Sequence, residues 1–189
     1  MIEMLVVLGI IAILAAITFG LMSGTTERGR LSRAQTELRV ISQALEQYRG
    51  QYGDYPWVGV GAAGDNERIL FNALGGVIGP RGDEITDDQG NPSLGRVFVE
   101  YSRLNVEFDE EQPNRLPDRN EPQVLDNRFI DPWGNAYRYF YKNASDPDNW
   151  NRSGFILYSR GPSGADDPPG RDGIVPDSAN NADNLHHDQ

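Results

Sequence analysis

IEMLVVLGIIAILAAITFGLM, residues 2–22, is the stretch on which the reading of this chain turns. Positions 4–22 hold no charge. Drawn as a helix, that run rises roughly 28 Å, close to the hydrocarbon thickness of a bilayer. A cleaved signal peptide is the competing reading. Against it, no basic segment precedes the run, the run is longer than a typical signal core, and Ala15-Ala16-Ile17 is a poor cleavage pattern. Residues 1–26 are therefore expected to form a retained transmembrane helix. Its one charge, Glu3, sits where the helix dipole favours an acid. Buried in an assembly, the same acid would need a cation from another subunit.

Beyond Ser23-Gly24-Thr25-Thr26 the helix-forming sequence resumes. Leu31, Ala34, Leu38, Ile41, Leu45, Tyr48 and Tyr52 follow one another at alternating spacings of three and four, the stripe of a helix with one apolar face. Such a stripe suits a coiled coil or a helix laid on a sheet. The run is short for a coiled coil and contains Ala and Tyr, so the sheet is the expected partner. Gly50, Gly53 and Pro56 mark its end. Residues 27–52 are thus read as an amphipathic continuation, and the two parts joined would form a stem of about 48 residues, roughly 70 Å long.

The remaining residues, 53–189, read as one globular head. The net charge of −11 argues against a nucleic-acid partner, because phosphate binding rests on clustered Lys and Arg. The charge is regional: residues 83–126 balance at −8 and residues 166–189 at −5, whereas residues 27–49 balance at +2. A basic stem and an acidic head can attract each other between neighbouring copies; plain solubility is the simpler account. There is no cysteine, so a loop-rich head has no disulfide to staple it. An enzyme is not expected. No Cys nucleophile, HExxH, GxSxG or P-loop is present, and the only histidines, His186 and His187, fall at an end expected to be frayed and solvated.

Within the head, residues 57–128 read as a loop region. Gly59 to Gly64 fits GxGxxG, with Asp83 about twenty residues on, but it follows a helix and a proline instead of a strand, so a dinucleotide site is not expected. Asp65 or Asn66 is positioned to cap a short helix through Ile69, Leu70 and Leu74. Residues 97–101, VFVEY, are expected to form a strand. Residues 129–159 are expected to hold an antiparallel sheet: after the turn at Asp131-Pro132-Trp133-Gly134-Asn135, Tyr137, Tyr139 and Tyr141 share one face of a strand, and residues 155–158 form its partner. Residues 160–189 form an acidic C-terminal loop rich in oxygen ligands. Calcium favours such a set, but the spacing is not an EF-hand, and a simple acidic tail is the alternative.

Taken together, Ile2-Glu3-Met4-Leu5-Val6-Val7 and Ile10 to Ala16 resemble the mature N-terminus of type IV pilins and type II secretion pseudopilins. Ala44-Leu45-Glu46-Gln47-Tyr48, Gly53-Asp54-Tyr55-Pro56, the DPWGN segment at 131–135 and the LYSRGPSG segment at 157–164 are similar to the major pseudopilin branch. The resemblance implies an α+β, type IV pilin-like fold, with a long N-terminal helix, half transmembrane and half amphipathic, packed on a small antiparallel sheet. It implies the repeating subunit of a periplasmic pseudopilus in type II protein secretion; a surface type IV pilus subunit or a minor tip pseudopilin are the alternatives. The protein would be a single-pass protein of the bacterial inner membrane with its head in the periplasm, forming a helical homo-oligomer with other pseudopilins and secretion-system assembly proteins as partners. Glu3 would assist docking through a neighbour's N-terminal amine. Family precursors carry a short basic leader, cut by a prepilin peptidase and then N-methylated; by the resemblance, Met1 stands two residues inside the mature end. The resemblance also implies calcium in the C-terminal loop, with Leu157, Ser159, Asp166, Asp167 and Asp172 as its ligands.

Overall fold

A computed structural model of the chain describes residues 2–59 and 65–188; in the first helix the side chains of residues 5 and 15–25 also lie outside what is described. Most of the GxGxxG stretch, residues 60–64, therefore falls outside the described residues.

Helix α1 spans Ile2–Tyr52. It ends where Gly53 takes φ +85° and donates its N–H to the Arg49 carbonyl at 2.7 Å, a left-handed cap that a side chain would strain. In its second half, Ala34, Leu38, Ile41, Leu45 and Tyr48 are at most 1% exposed. Each buried Leu or Ile there contributes about 1.5–3 kcal/mol of transfer free energy. The stripe packs on the head, where it meets strands and a second helix. Tyr48 is buried with its hydroxyl satisfied, donating to the Ile78 carbonyl at 3.1 Å.

Helix α2, Asn66–Leu74, begins as its sequence suggests: the Asp65 carboxylate accepts from the Arg68 N–H at 2.9 Å. Five short strands complete the head. β1 (Asn105–Glu107) pairs with β2 (Arg128–Ile130), and β3 (Arg138–Phe140), β4 (Ile156–Ser159) and β5 (Leu185–His186) form a separate sheet in that order, all pairings antiparallel. Every β4 position is buried, as befits the central strand of a covered sheet. Tyr137, Tyr139 and Tyr141 are all buried, and each hydroxyl has a partner, Tyr137 donating to Glu37 Oε2 at 2.7 Å. Tyr139 donates to the Pro56 carbonyl at 2.7 Å and Tyr141 to Asp54 Oδ1 at 2.8 Å.

Several expectations need correction. The long helix with a transmembrane half is overturned at its apolar end. Among the described residues no helix is long and apolar enough to cross a membrane. The expected single-pass placement in an inner membrane, with a periplasmic head, falls with that span. Nor does the head rest on one small sheet, since it is built from two. Residues 97–101 are not a strand: the Phe98 N–H goes to the Leu74 carbonyl at the end of α2 (2.9 Å) instead of to a ladder, and Tyr101–Arg103 form a 3₁₀ turn. The histidines are not at a frayed end, because His186 lies in β5, paired with Tyr158.

Candidate functional site

Two features stand out from the packed head: the apolar end of α1, and the joints that fix its root and the C-terminal loop. At the apolar end, Ile2, Met4, Val6, Val7, Leu8, Ile10, Ile11 and Ile13 are between 54% and 77% exposed. Val6, Val7 and Leu8 are consecutive, so they point in three directions about 100° apart. The helix is bare on all sides. Glu3 lies exposed in the first turn, where the unsatisfied N–H groups favour its charge.

The root of the exposed segment is clamped to the head. Trp133 donates its indole N–H to Glu27 Oε1 at 3.1 Å. Glu37, whose side chain is 3% exposed, accepts from Tyr137 Oη at 2.7 Å and from Arg33 Nε at 2.7 Å. Arg33 also reaches Asn105 Oδ1 in β1 at 2.9 Å. A buried carboxylate is costly unless paired and hydrogen-bonded, and here it is both. Burial first, and the Glu37 charge next, hold the Tyr137 phenol far above its ordinary range, so it stays a donor. Sequence reading missed Glu37. Its signal was its helical spacing, three residues after Ala34 and four before Ile41, on the buried face.

The two C-terminal motifs meet. Asp131 is buried; its Oδ1 accepts from the N–H groups of Trp133 (3.0 Å) and Asn135 (2.9 Å), and its Oδ2 accepts from Ser159 Oγ at 2.6 Å. Asn135 in turn donates to the Gly161 carbonyl at 3.0 Å. Gly161 has φ +63°, and a Cβ there would stand 2.4 Å from the Asp183 carbonyl oxygen, so glycine is required on two counts. Asp183 closes the loop by accepting from the N–H and Oγ of Ser163, both at 3.0 Å.

These contacts decide the fate of the expected calcium ligands. The Leu157 carbonyl accepts from the His187 N–H at 3.2 Å, and Ser159 is spent on Asp131. Asp166 accepts from Tyr158 Oη at 2.7 Å and Arg138 Nε at 3.1 Å, with Arg160 at 3.9 Å. Arg138 also holds Glu67 at 2.5 Å. Asp167 accepts from Asn180 at 3.3 Å, and Asp172 caps its own turn through the Ile174 N–H at 3.1 Å. The oxygens are committed to separate networks, and Asp166 is already balanced by guanidinium groups. Among the described residues no group of three or more acids or histidines is arranged to hold a metal. The residues as placed do not fit a calcium ion.

No protein-family model, no curated protein and no solved structure matches this chain.

Proposed function

We propose that this chain is a structural subunit of the pseudopilin class, assembling into the pseudopilus filament of type II protein secretion through the apolar end of α1. The observation that carries the reading is that bare end: the described side chains from Ile2 to Leu14 are exposed in every direction, while one face of the second half of the same helix is buried against the head. An apolar surface of this extent on a monomer marks an interaction site, and a helix apolar all round belongs in a packed interior. Other copies of the same helix supply that interior, because each brings an equivalent bare surface. The sequence resemblance of residues 2–16 to the pilin and pseudopilin N-terminus supports the same assignment. So does the joining of the DPWGN and LYSRGPSG segments into one lock, which gives both motifs a common structural purpose. In this reading other pseudopilins and the assembly proteins of the secretion system are partners, and Glu3 supplies the charge that sets the axial position of an incoming helix.

The test is sedimentation and electron microscopy of the full chain beside Glu3→Ala and the double variant Ile10→Lys, Ile13→Lys. The parent is expected to form filaments, and both variants to lose them while the thermal midpoint of the head stays unchanged. Ordinary filaments from the double-lysine variant would sink the proposal; ordinary filaments from Glu3→Ala would remove the docking role alone.

A further inference from the structure

The stem has five arginines between residues 27 and 49, and two are used at home. Arg33 is held by Glu37 and Asn105, and Arg49 by the Tyr55 hydroxyl at 3.3 Å. Arg28, Arg30 and Arg39 are exposed and have no hydrogen-bond or ion-pair partner among the described residues. Arg28 and Arg39 lie three turns apart on one side of α1, about 16 Å along the axis. By helical spacing that side, shared with Ser32, Gln35 and Gln43, is opposite the stripe buried in the head. The own head therefore cannot reach it.

The complementary surface is at the edge of the two-stranded sheet. An open cavity of about 500 Å³ is lined by Glu107, Asp109, Glu110, Glu111 and Asp126 against a single cation, Arg128. Arg128 is already engaged by Asp65 at 2.9 Å, Glu107 at 3.5 Å and Asp126 at 3.9 Å. Glu110 and Glu111 are exposed, and their carboxylates make no hydrogen bond or ion pair among the described residues. One surface offers unmatched guanidinium groups and the other unmatched carboxylates, and the fold holds them on faces that cannot meet within one chain.

We propose that the outer face of α1, through Arg28 and Arg39, docks against the acidic cavity at residues 107–111 of a second copy. The inference rests on the filament reading and deepens it, because it names the head-to-stem contact that sets register between copies. Charge pairing of this kind steers encounter and fixes register more than it adds affinity, and it weakens as salt is raised.

The experiment measures the critical concentration for assembly of the full chain by sedimentation, at low and high salt. It compares Arg28→Glu with Arg39→Glu, Glu110→Arg with Glu111→Arg, and all four changes in one chain. Each reversal pair is expected to raise the critical concentration on the order of tenfold through like-charge contact, and the four-change chain to restore it. Thermal unfolding of each variant checks that these exposed changes leave the head folded. If both reversal pairs assemble like the parent, or if the four-change chain fails to recover, the pairing is overturned while the filament reading stands. If the parent stays monomeric at every concentration, both fall together.

Discussion

The two ends of α1 are both rich in Leu, Ile and Val, yet they meet opposite fates. From Ala34 to Tyr48 the apolar residues fall on one side and vanish into the head; from Ile2 to Ile13 they fall on every side and remain bare. Charge already separates these ends, since positions 4–22 carry none while residues 27–49 carry five Arg and three Glu. Spacing says what each end needs: a stripe can be satisfied by a sheet and a short helix on one flank, whereas a cylinder needs neighbours all round. The chain by itself satisfies the first need and leaves the second unmet.

The comparison is sharpened by changes ranked by their expected effect on the head. Leu45→Ala, in the buried stripe, is expected to cost about 2–5 kcal/mol, read as a lowered midpoint in denaturant. Tyr137→Phe strands the buried Glu37 carboxylate with one partner fewer and should cost about 1–3 kcal/mol by the same measurement; an unchanged midpoint would deny the clamp its energetic role. A smaller effect follows from pH. Burial lowers the His186 pKa, and among its neighbours His187 and Arg152 also lower it while Asp188 raises it; its ring packs on Tyr158 at 5.1 Å. A depressed pKa in the folded state means that its contribution is present above the unfolded histidine value and is lost as pH falls through the folded one. The midpoint should therefore fall modestly from about pH 8 to about pH 5 beyond the loss seen in His186→Gln. Least of all, Ile10→Ser in the bare end should shift head stability by no more than about 0.5 kcal/mol while still weakening assembly.

Asp54 adds a second acid-sensitive joint. Burial works to raise its pKa, but hydrogen bonds from the Trp57 indole, the Tyr141 hydroxyl and the Tyr55 N–H, together with the Lys142 charge, outweigh it and hold the carboxyl below its ordinary range. Its stabilisation is thus present at neutral pH and lost as pH falls through the acidic range. Asp54→Asn should reduce the acid sensitivity of unfolding below about pH 4.

Much of the head was legible before its structure. The stripe on residues 34–48, the Asp65 cap, the tyrosine face at 137–141 and the pairing of β3 with β4 all rest on local periodicity or a single capping side chain. Three things were not legible. Residues 97–101 have the composition of a strand, but the Phe98 N–H is taken by the Leu74 carbonyl at the end of α2. The strand at Leu185–His186 is two residues long, too short to leave a pattern. The acids of the C-terminal loop read as a ligand set because sequence shows their number and not their partners; Arg138, a strand residue facing away from the tyrosines, claims Asp166 and Glu67.

The sequence by itself determined where α1 is one-sided and where it is apolar all round, because helical spacing is a local property. It also determined the turn at Asp131, because a carboxylate two residues before an N–H acts over a few residues. Only the tertiary structure decided which charges are spent and which remain. Whether Glu37, Asp166 or Arg39 has a partner depends on side chains tens of residues away, brought within hydrogen-bond distance by packing that no local pattern encodes.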